Sequence, residues 1–179
     1  MPSQERDPAA DPAGSAASTE GVDAPKAPKV ALEMPHGNRS CGTGGTWAKC
    51  HANPDWEAGL AAVKVMARSD DDFRMLSREI DRFLKAAERG DLTYGKSEDV
   101  YRMTTAPLIL ELRFERRVEY PDGRRAVRLY FSEPDVDPGV LLAVKLGAKP
   151  ATAGGLDLQN DHAAEAQDHV LNHYERQQH

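Results

Sequence analysis

The sequence has too few cysteines and too few long apolar runs for several classes of protein. Two cysteines, Cys41 and Cys50, cannot build a disulfide framework, so we expect both to be thiols. No window approaches the roughly 20 apolar residues of a membrane-spanning helix, and the first residues lack the basic start and apolar run of a secretory signal. These absences predict a cytoplasmic protein without a membrane segment.

Sizeable aliphatic side chains are scarce near the start of the chain. Val22 and Val30 are the only ones in a stretch, residues 1–31, that is dominated by Ala, Pro, Ser, Gly, Asp and Glu. Such a segment cannot bury enough apolar surface to offset the entropy of ordering it. We therefore predict a disordered, acidic, Ala/Pro-rich tail over residues 1–40 and a folded domain over residues 46–179.

Positive charge is also scarce overall, because the formal net charge is -6. This value argues against a protein that coats nucleic acid indiscriminately, since affinity for phosphate depends on Lys and Arg. Residues 1–35 hold six acids and three bases, and residues 151–179 hold five acids and one base. The middle of the chain is therefore nearly neutral, with its cations concentrated between Arg113 and Arg128.

Helical signals come first along the chain. Apolar residues recur at helical spacing after Ser69, which is a candidate N-cap, and Gly90 ends the pattern. A second short helix is predicted after Ser97, and it must stop before Pro107. Periodicity does not decide whether residues 59–66 form a helix or a strand.

The period then changes from that of a helix to that of a strand. Leucines and a phenylalanine alternate with polar residues from Leu108 to Phe114, and Pro121-Asp122-Gly123 is a turn signal. Residues 126–131 form the partner strand, and residues 140–146 form a third, buried strand. These segments predict a three-stranded antiparallel meander.

Asn160 or Asp161 can cap a last helix that runs to about Gln177. The predicted fold class is therefore α+β, with N-terminal helices followed by a small antiparallel sheet, the meander, and a C-terminal helix.

Several short motifs occur in this order of elements. The first two predicted strands carry Glu111-Leu112-Arg113 and Arg128-Leu129-Tyr130-Phe131, the latter with Glu133-Pro134. The third carries Leu141-Leu142 and is followed by Gly147-Ala148-Lys149, and the last helix carries an Ala-rich run at 161–166. Their order and spacing resemble the RelE/ParE superfamily of toxins from type II toxin–antitoxin pairs, in particular its HigB-like branch. The resemblance covers roughly Trp47 to Tyr174.

This resemblance implies a RelE-like fold and metal-independent cleavage of messenger RNA with the ribosome. It also implies a cognate antitoxin as partner, no cofactor and no metal. RNA supplies its own nucleophile, the 2′-hydroxyl, so the protein must position that group, assist proton transfer and stabilise charge on the scissile phosphate. The residues that we assign to this chemistry are Arg113, Arg128, Lys149, Tyr130, His169 and His173.

The strand pattern predicts how the cations are oriented. Arg113 and Arg128 alternate with apolar residues, so both leave the same side of the sheet as Tyr130 and can converge on one phosphate. Lys149 follows the third strand and supplies either a further cation or a base. The alternative for Arg113 is a surface cation that pairs with a neighbouring glutamate, Glu111 or Glu115.

The last helix carries three histidines, His162, His169 and His173, at offsets of seven and four residues. This spacing places them in one stripe beside the apolar face, where they could supply a general acid or a pair of metal ligands. The alternative is a polar helix edge. His169 and His173 are the preferred candidates.

The only other cluster of zinc-compatible residue types comprises His36, Cys41, Cys50 and His51. Its spacing matches no short paired-cysteine pattern, so no metal site is predicted. The stretch Gly42-Thr43-Gly44-Gly45 lacks the Gly-Lys-Ser/Thr ending of a phosphate-binding loop, and we interpret it as a flexible segment.

Arginines near the predicted hairpin turn could bind RNA phosphates: Arg116, Arg117, Arg124 and Arg125. Acidic residues interleave with them, so a solvated charged hairpin is the alternative. Two other functions remain open for the whole chain. One is a non-catalytic RelE/ParE-fold protein that inhibits or recruits a protein target by binding. The other is a small protein whose acidic arm recruits partners.

Overall fold

The computed structural model describes residues 39–50, 55–150, 152 and 155–177. The chain forms a 3₁₀ turn (Arg39–Cys41), strand β1 (Thr46–Lys49), helices α1 (Asp55–Met66) and α2 (Asp70–Arg89), strands β2 (Val100–Arg102), β3 (Leu110–Tyr120), β4 (Gly123–Ser132) and β5 (Val140–Pro150), and helix α3 (Gly155–Arg176). None of the helices in these ranges is long and apolar enough to cross a membrane.

The strands form one five-stranded sheet in the order β1-β5-β4-β3-β2. The predicted meander, β3-β4-β5, lies at its centre, and β2 adds an antiparallel edge strand. The sheet is mixed, because β1 pairs in parallel with β5. The α+β class and the C-terminal helix are confirmed, whereas the prediction of a purely antiparallel three-stranded sheet is wrong.

Helices cover both faces of the sheet. The Phe114 ring of β3 lies 5.8 Å from the Phe83 ring of α2, and the absence of a side chain at Gly59 lets α1 approach Leu146 of β5. The opposite face carries Tyr130, whose ring contacts α3. Because successive strand residues point to opposite faces, the leucines face α1 and α2 while the polar residues between them face α3.

Local chemistry explains where α2 begins and ends. The Ser69 hydroxyl accepts a hydrogen bond from the Asp72 backbone N–H at 3.1 Å, as an N-cap does. Gly90 ends the helix with a φ of 77°, a left-handed conformation that glycine adopts without steric cost. Both predicted ends are confirmed. Residues 59–66, whose structure periodicity did not decide, are part of α1.

One predicted helix does not form, and the predicted start of another is wrong. No helix follows Ser97, because Val100–Arg102 pairs with β3 as strand β2. Pairing with a long neighbouring strand outweighs the local capping signal there. Helix α3 begins at Gly155 instead of after Asn160, whose side-chain oxygen lies 3.4 Å from the Thr105 hydroxyl.

The folded part begins before residue 46, which was the predicted start of the domain. The buried Glu133 carboxylate accepts the backbone N–H groups of Arg39 at 2.5 Å and Ser40 at 3.0 Å, and so attaches the 3₁₀ turn to the end of β4. These bonds satisfy N–H groups that a short turn cannot satisfy itself. The predicted disordered tail, up to residue 38, lies outside the described residues.

Gly90 provides a test of this packing. A Cβ at Gly90 would lie 2.5 Å from the Gly42 backbone, whereas a Cβ at Gly139, which also has a positive φ, would meet nothing within 4 Å. We expect Gly90→Ala to lower the free energy of unfolding by roughly 3 kcal/mol and Gly139→Ala by about 1 kcal/mol. Urea denaturation of both variants measures the difference, and equal losses would contradict the close approach of the two segments.

Candidate active site

The sheet register brings most of the predicted site residues together. Glu111 of β3 lies opposite Tyr130 of β4, and Arg113 lies opposite Arg128. Lys149 of β5 lies opposite Ala126, two residues from Arg128 and on the same face. Glu111, Arg113, Arg128, Tyr130 and Lys149 therefore share the face that α3 covers, and we call them the Glu111 cluster.

Glu111 is the centre of this cluster. Its side chain is 0% exposed, and Oε2 accepts a hydrogen bond from Arg113 Nε at 2.8 Å. Its Oε1 lies 3.1 Å from Arg128 Nε, an ion pair without hydrogen-bond alignment. Both arginine side chains keep some solvent exposure, 24% for Arg113 and 15% for Arg128. One buried carboxylate thus holds two guanidinium groups at the rim of the protein.

Further contacts fix both guanidinium groups. Arg113 lies 4.8 Å from the centre of the Tyr101 ring and donates through Nη1 to the Lys96 carbonyl. Arg128 donates through Nη1 to the carbonyls of Val127 at 2.8 Å and Phe114 at 3.3 Å. Donors held in place before a ligand binds need little reorganisation to stabilise developing charge.

Burial changes the ionisation of the remaining members. The pKa of Lys149 is lowered by burial, an effect that the nearby Glu111 opposes, and its ammonium donates to the Gln159 side-chain oxygen of α3. Burial and then Glu111 raise the pKa of Tyr130 above its ordinary value, so the phenol is neutral at neutral pH. Burial also lowers the pKa of Arg128, which nevertheless remains a cation.

Unmet hydrogen-bonding groups are concentrated at this cluster. Among the described residues, six buried side-chain atoms lack a hydrogen-bond partner, and four of them lie here: Glu111 Oε1, Arg128 Nε, Tyr130 Oη and His162 Nδ1. An unsatisfied buried polar atom is costly, so native proteins have few of them. Glu111 Oε1 and Arg128 Nε lie 3.1 Å from each other and compensate each other as an ion pair, so only Tyr130 Oη and His162 Nδ1 of these four atoms have no polar partner.

Among the three histidines of α3, His162 is the one that reaches the cluster. Its ring lies 5.8 Å from the Tyr130 ring and packs on Gly147, where a Cβ would lie 2.6 Å from His162 Nδ1. Gly147 is the ladder partner of Arg128. Burial, and then Lys145, lower the pKa of His162.

His169 and His173, the preferred candidates, lie elsewhere. They follow Gln159, the contact of Lys149, by ten and fourteen residues, which is about 15 and 21 Å along a helix. His169 lies 3.7 Å from Glu165 on its own helix, and the His173 ring lies 4.9 Å from the Tyr174 ring. The structure thus does not place them with the cations, because a shared stripe fixes an angle around the helix but not a height along it.

The predicted RNA-binding arginines are divided between two places. Arg116, Arg117 and Arg124 line an open groove of about 860 Å³ beside α2. Arg125 lies instead in a pocket of about 430 Å³ beside α1, where it pairs with Asp122 at 2.5 Å. Neighbouring strand residues point to opposite faces, which separates Arg125 from Arg124.

The described residues contain no group of three or more side chains that could hold a metal ion. His36 and His51, two members of the cluster considered for zinc, lie outside those residues. Cys41 and Cys50 form no disulfide within the described ranges, and burial raises the pKa of the Cys41 thiol to about 11. Cys41 is therefore a thiol at neutral pH, not a thiolate ligand.

Glu111 was missed from the sequence as a functional residue, and His162 was considered in the histidine stripe but was not a preferred candidate. An acid within the apolar run of β3 and two positions before an arginine was the available signal for Glu111. No single-sequence signal distinguished His162 from its neighbours.

No family model, curated protein or solved structure matches this chain.

Substitution of Glu111 tests its central role. Glu111→Gln keeps the shape of the side chain but leaves Arg113 and Arg128 without their counter-charge, so we expect the free energy of unfolding to fall by about 3–5 kcal/mol. Glu57→Gln, which breaks the exposed pair with Lys49, is the control and should change nothing measurable. Urea denaturation gives both values, and similar values for the two variants would contradict a central role for Glu111.

The lowered pKa of His162 predicts a pH dependence of stability. Below about pH 6.5 the unfolded chain binds a proton at His162 more readily than the folded chain does. The contribution of His162 to the free energy of unfolding is therefore complete above that pH and is lost as the pH falls. The melting temperature should therefore drop less between about pH 7.5 and 5.5 in His162→Gln than in the wild type. An equal drop in the two proteins would contradict the assignment.

Proposed function

We propose that this chain is the toxin of a type II toxin–antitoxin system, a metal-independent endoribonuclease of the HigB-like branch of the RelE/ParE superfamily. It cleaves messenger RNA with the ribosome in the cytoplasm. The observation that carries this proposal is the gathering of Arg113, Arg128 and Lys149 on one face of the sheet, around one buried carboxylate. Such an arrangement suits a ligand that brings negative charge and several acceptors.

The order of elements supports a RelE-like arrangement. A helical pair, α1 and α2, precedes the strand with the Glu-Leu-Arg motif. The three motifs lie on the neighbouring strands β3, β4 and β5, so residues that are distant in sequence occupy one site. The Ala-rich helix α3 packs over them through Gln159 and His162.

The chemistry follows from the position of each group. The 2′-oxygen of RNA bonds to the adjacent phosphorus, the bond to the 5′-oxygen breaks, and the products are a 2′,3′-cyclic phosphate and a 5′-hydroxyl. Arg113 and Arg128 stabilise the negative charge that builds up on the phosphate. Lys149, the third cation of the cluster, donates a proton to the departing 5′-oxygen, and a water molecule accepts the proton of the 2′-hydroxyl.

Tyr130 and the two distal histidines have different roles from those first assigned to them. Tyr130 is 0% exposed, so its phenol does not touch RNA. His169 and His173 take no part in the reaction. The exposed edges of Arg113 and Arg128 form the face that a cognate antitoxin would cover.

One observation favours a second candidate, a non-catalytic protein of the same fold that binds a protein target. Helix α1 exposes two neighbouring apolar side chains, Val65 at 84% and Met66 at 39%. Exposed apolar side chains next to each other suit contact with a protein more than contact with RNA. Under this alternative, Val65→Asp would abolish growth inhibition and substitutions in the Glu111 cluster would not.

Inducible expression in a bacterial host tests the ribonuclease proposal. Wild type should arrest growth and generate new messenger RNA ends with 5′-hydroxyl groups. Arg113→Ala/Arg128→Ala should reduce cleavage by at least about 100-fold, since loss of even one stabilising donor has that effect. Arg74→Ala, which removes an exposed arginine of α2, should behave as wild type.

Folding must be controlled because both arginines compensate Glu111. Arg128→Lys keeps the charge and loses the planar fork, so it should fold and still cleave poorly. Thermal melting of each purified variant identifies any that are unfolded. Intact transcripts at full expression of folded wild type, or wild-type cleavage by the folded double variant, would refute the proposal.

A further inference from the structure

The groove beside α2 holds a second concentration of arginines. Its volume is about 860 Å³, and five arginines from two separate elements line it: Arg78, Arg82, Arg116, Arg117 and Arg124. Four acidic residues line it as well: Asp72, Glu79, Glu115 and Glu119. Whether the groove attracts anions therefore depends on how these acids are engaged.

The acids are engaged unequally. Both oxygens of Glu79 face backbone donors, because they accept the N–H groups of Glu115 at 2.7 Å and Arg116 at 3.2 Å. Glu119 pairs with Arg124, and Glu115 lies 3.8 Å from Arg82. Glu79 stays negatively charged when it accepts backbone N–H groups, so five arginines face four acids and the groove has one positive charge in excess.

Three arginines of the groove form no ion pair with another residue in the described ranges: Arg78, Arg116 and Arg117. They come from both walls, since Arg78 belongs to α2 and the other two to β3. Guanidinium groups on two sides of an open groove can contact a phosphate chain that lies between them.

The groove and the Glu111 cluster each include an arginine of β3, Arg117 and Arg113 respectively. Arg113 lies opposite Arg128 and Arg117 lies opposite Ala126, so Arg113 and Arg117 project from the same face despite the bulge between them. Four strand residues span at most about 13 Å. A single nucleic-acid strand at the cluster can therefore continue along β3 into the groove.

From this shared face of β3 we propose that the groove binds the phosphate backbone of the same RNA strand whose scissile phosphate lies at the Glu111 cluster. The inference rests on the proposed ribonuclease function and adds Arg78 and Arg82 of α2 to the RNA-contacting residues. RNA is favoured over an acidic protein segment because Arg117 of the groove and Arg113 of the cluster project from the same face of β3. All five cations of the groove are arginines, which match phosphate geometry better than lysine does.

A binding measurement that does not depend on catalysis tests this inference. The probe is a short single-stranded 2′-O-methyl oligoribonucleotide, which lacks the nucleophile and cannot be cleaved. Fluorescence anisotropy gives its affinity for the full chain from about 50 to about 200 mM KCl. Arg78→Gln/Arg117→Gln should bind several-fold more weakly, and the slope of log affinity against log salt should be shallower by about 1.4, or about 0.7 for each lost phosphate contact.

Two matched variants sharpen the result. Arg74→Gln/Arg89→Gln removes two exposed arginines of α2 that do not line the groove, and it should bind as wild type does. Glu115→Gln removes an acid that is 79% exposed, so it should tighten binding by reducing repulsion. A gain of affinity cannot result from misfolding.

The outcomes separate this inference from the proposed function. If wild type binds the probe and the groove variant has the same affinity and salt slope, the groove assignment is overturned while the cluster can still cleave RNA. If neither protein binds the probe and no transcript is cleaved in cells, the proposed function fails. If the groove binds a polyglutamate peptide and not the oligonucleotide, the partner is an acidic protein segment and the inference is overturned.

Discussion

The ion pairs of Glu111 with Arg113 and Arg128 are the constraint on which the centre of the sheet depends. A carboxylate with no solvent exposure loses several kilocalories per mole of hydration, and only nearby cations and hydrogen bonds offset that loss. The two arginines come from neighbouring strands that must be in one register to reach it. A slip by one residue would turn Glu111 toward α1 and α2, where it would find apolar side chains. The network therefore specifies the pairing of β3 with β4 and builds the candidate site at the same time.

The same network leaves charge in excess. Three cations, Arg113, Arg128 and Lys149, surround one carboxylate. Burial lowers the pKa of Lys149, Glu111 opposes that effect, and the two arginines add to it. An anionic ligand would supply negative charge that the single carboxylate does not provide. The part of the sheet that is least satisfied electrostatically is therefore also the part best prepared to stabilise a phosphate.

Prediction from the sequence succeeded where the determining interactions are local. The capping hydroxyl of Ser69, the left-handed Gly90 and the period of two in β3 and β4 are each set by a few neighbouring residues. Contacts between distant segments were not accessible in this way. The parallel pairing of β1 with β5 is one example, and the burial of Glu111 beneath α3 is another. The histidine stripe shows the same limit, because the periodicity of α3 gave the angle of each side chain but not its distance from Lys149.

The bulge in β3 explains why adjacent arginines can serve one groove. Between the pairs Arg113–Arg128 and Arg117–Ala126, β3 has two more residues than β4. In a regular strand Arg116 and Arg117 would point to opposite faces, whereas here both line the groove. The bulge exposes two backbone N–H groups, and the Glu79 carboxylate of α2 accepts both. Glu79 in the groove and Glu111 in the cluster therefore have similar roles: each is a carboxylate that determines where neighbouring arginines point. If the arginines of the groove and those of the Glu111 cluster contact one RNA strand, Glu79 and Glu111 affect RNA binding indirectly, through the positions of these arginines.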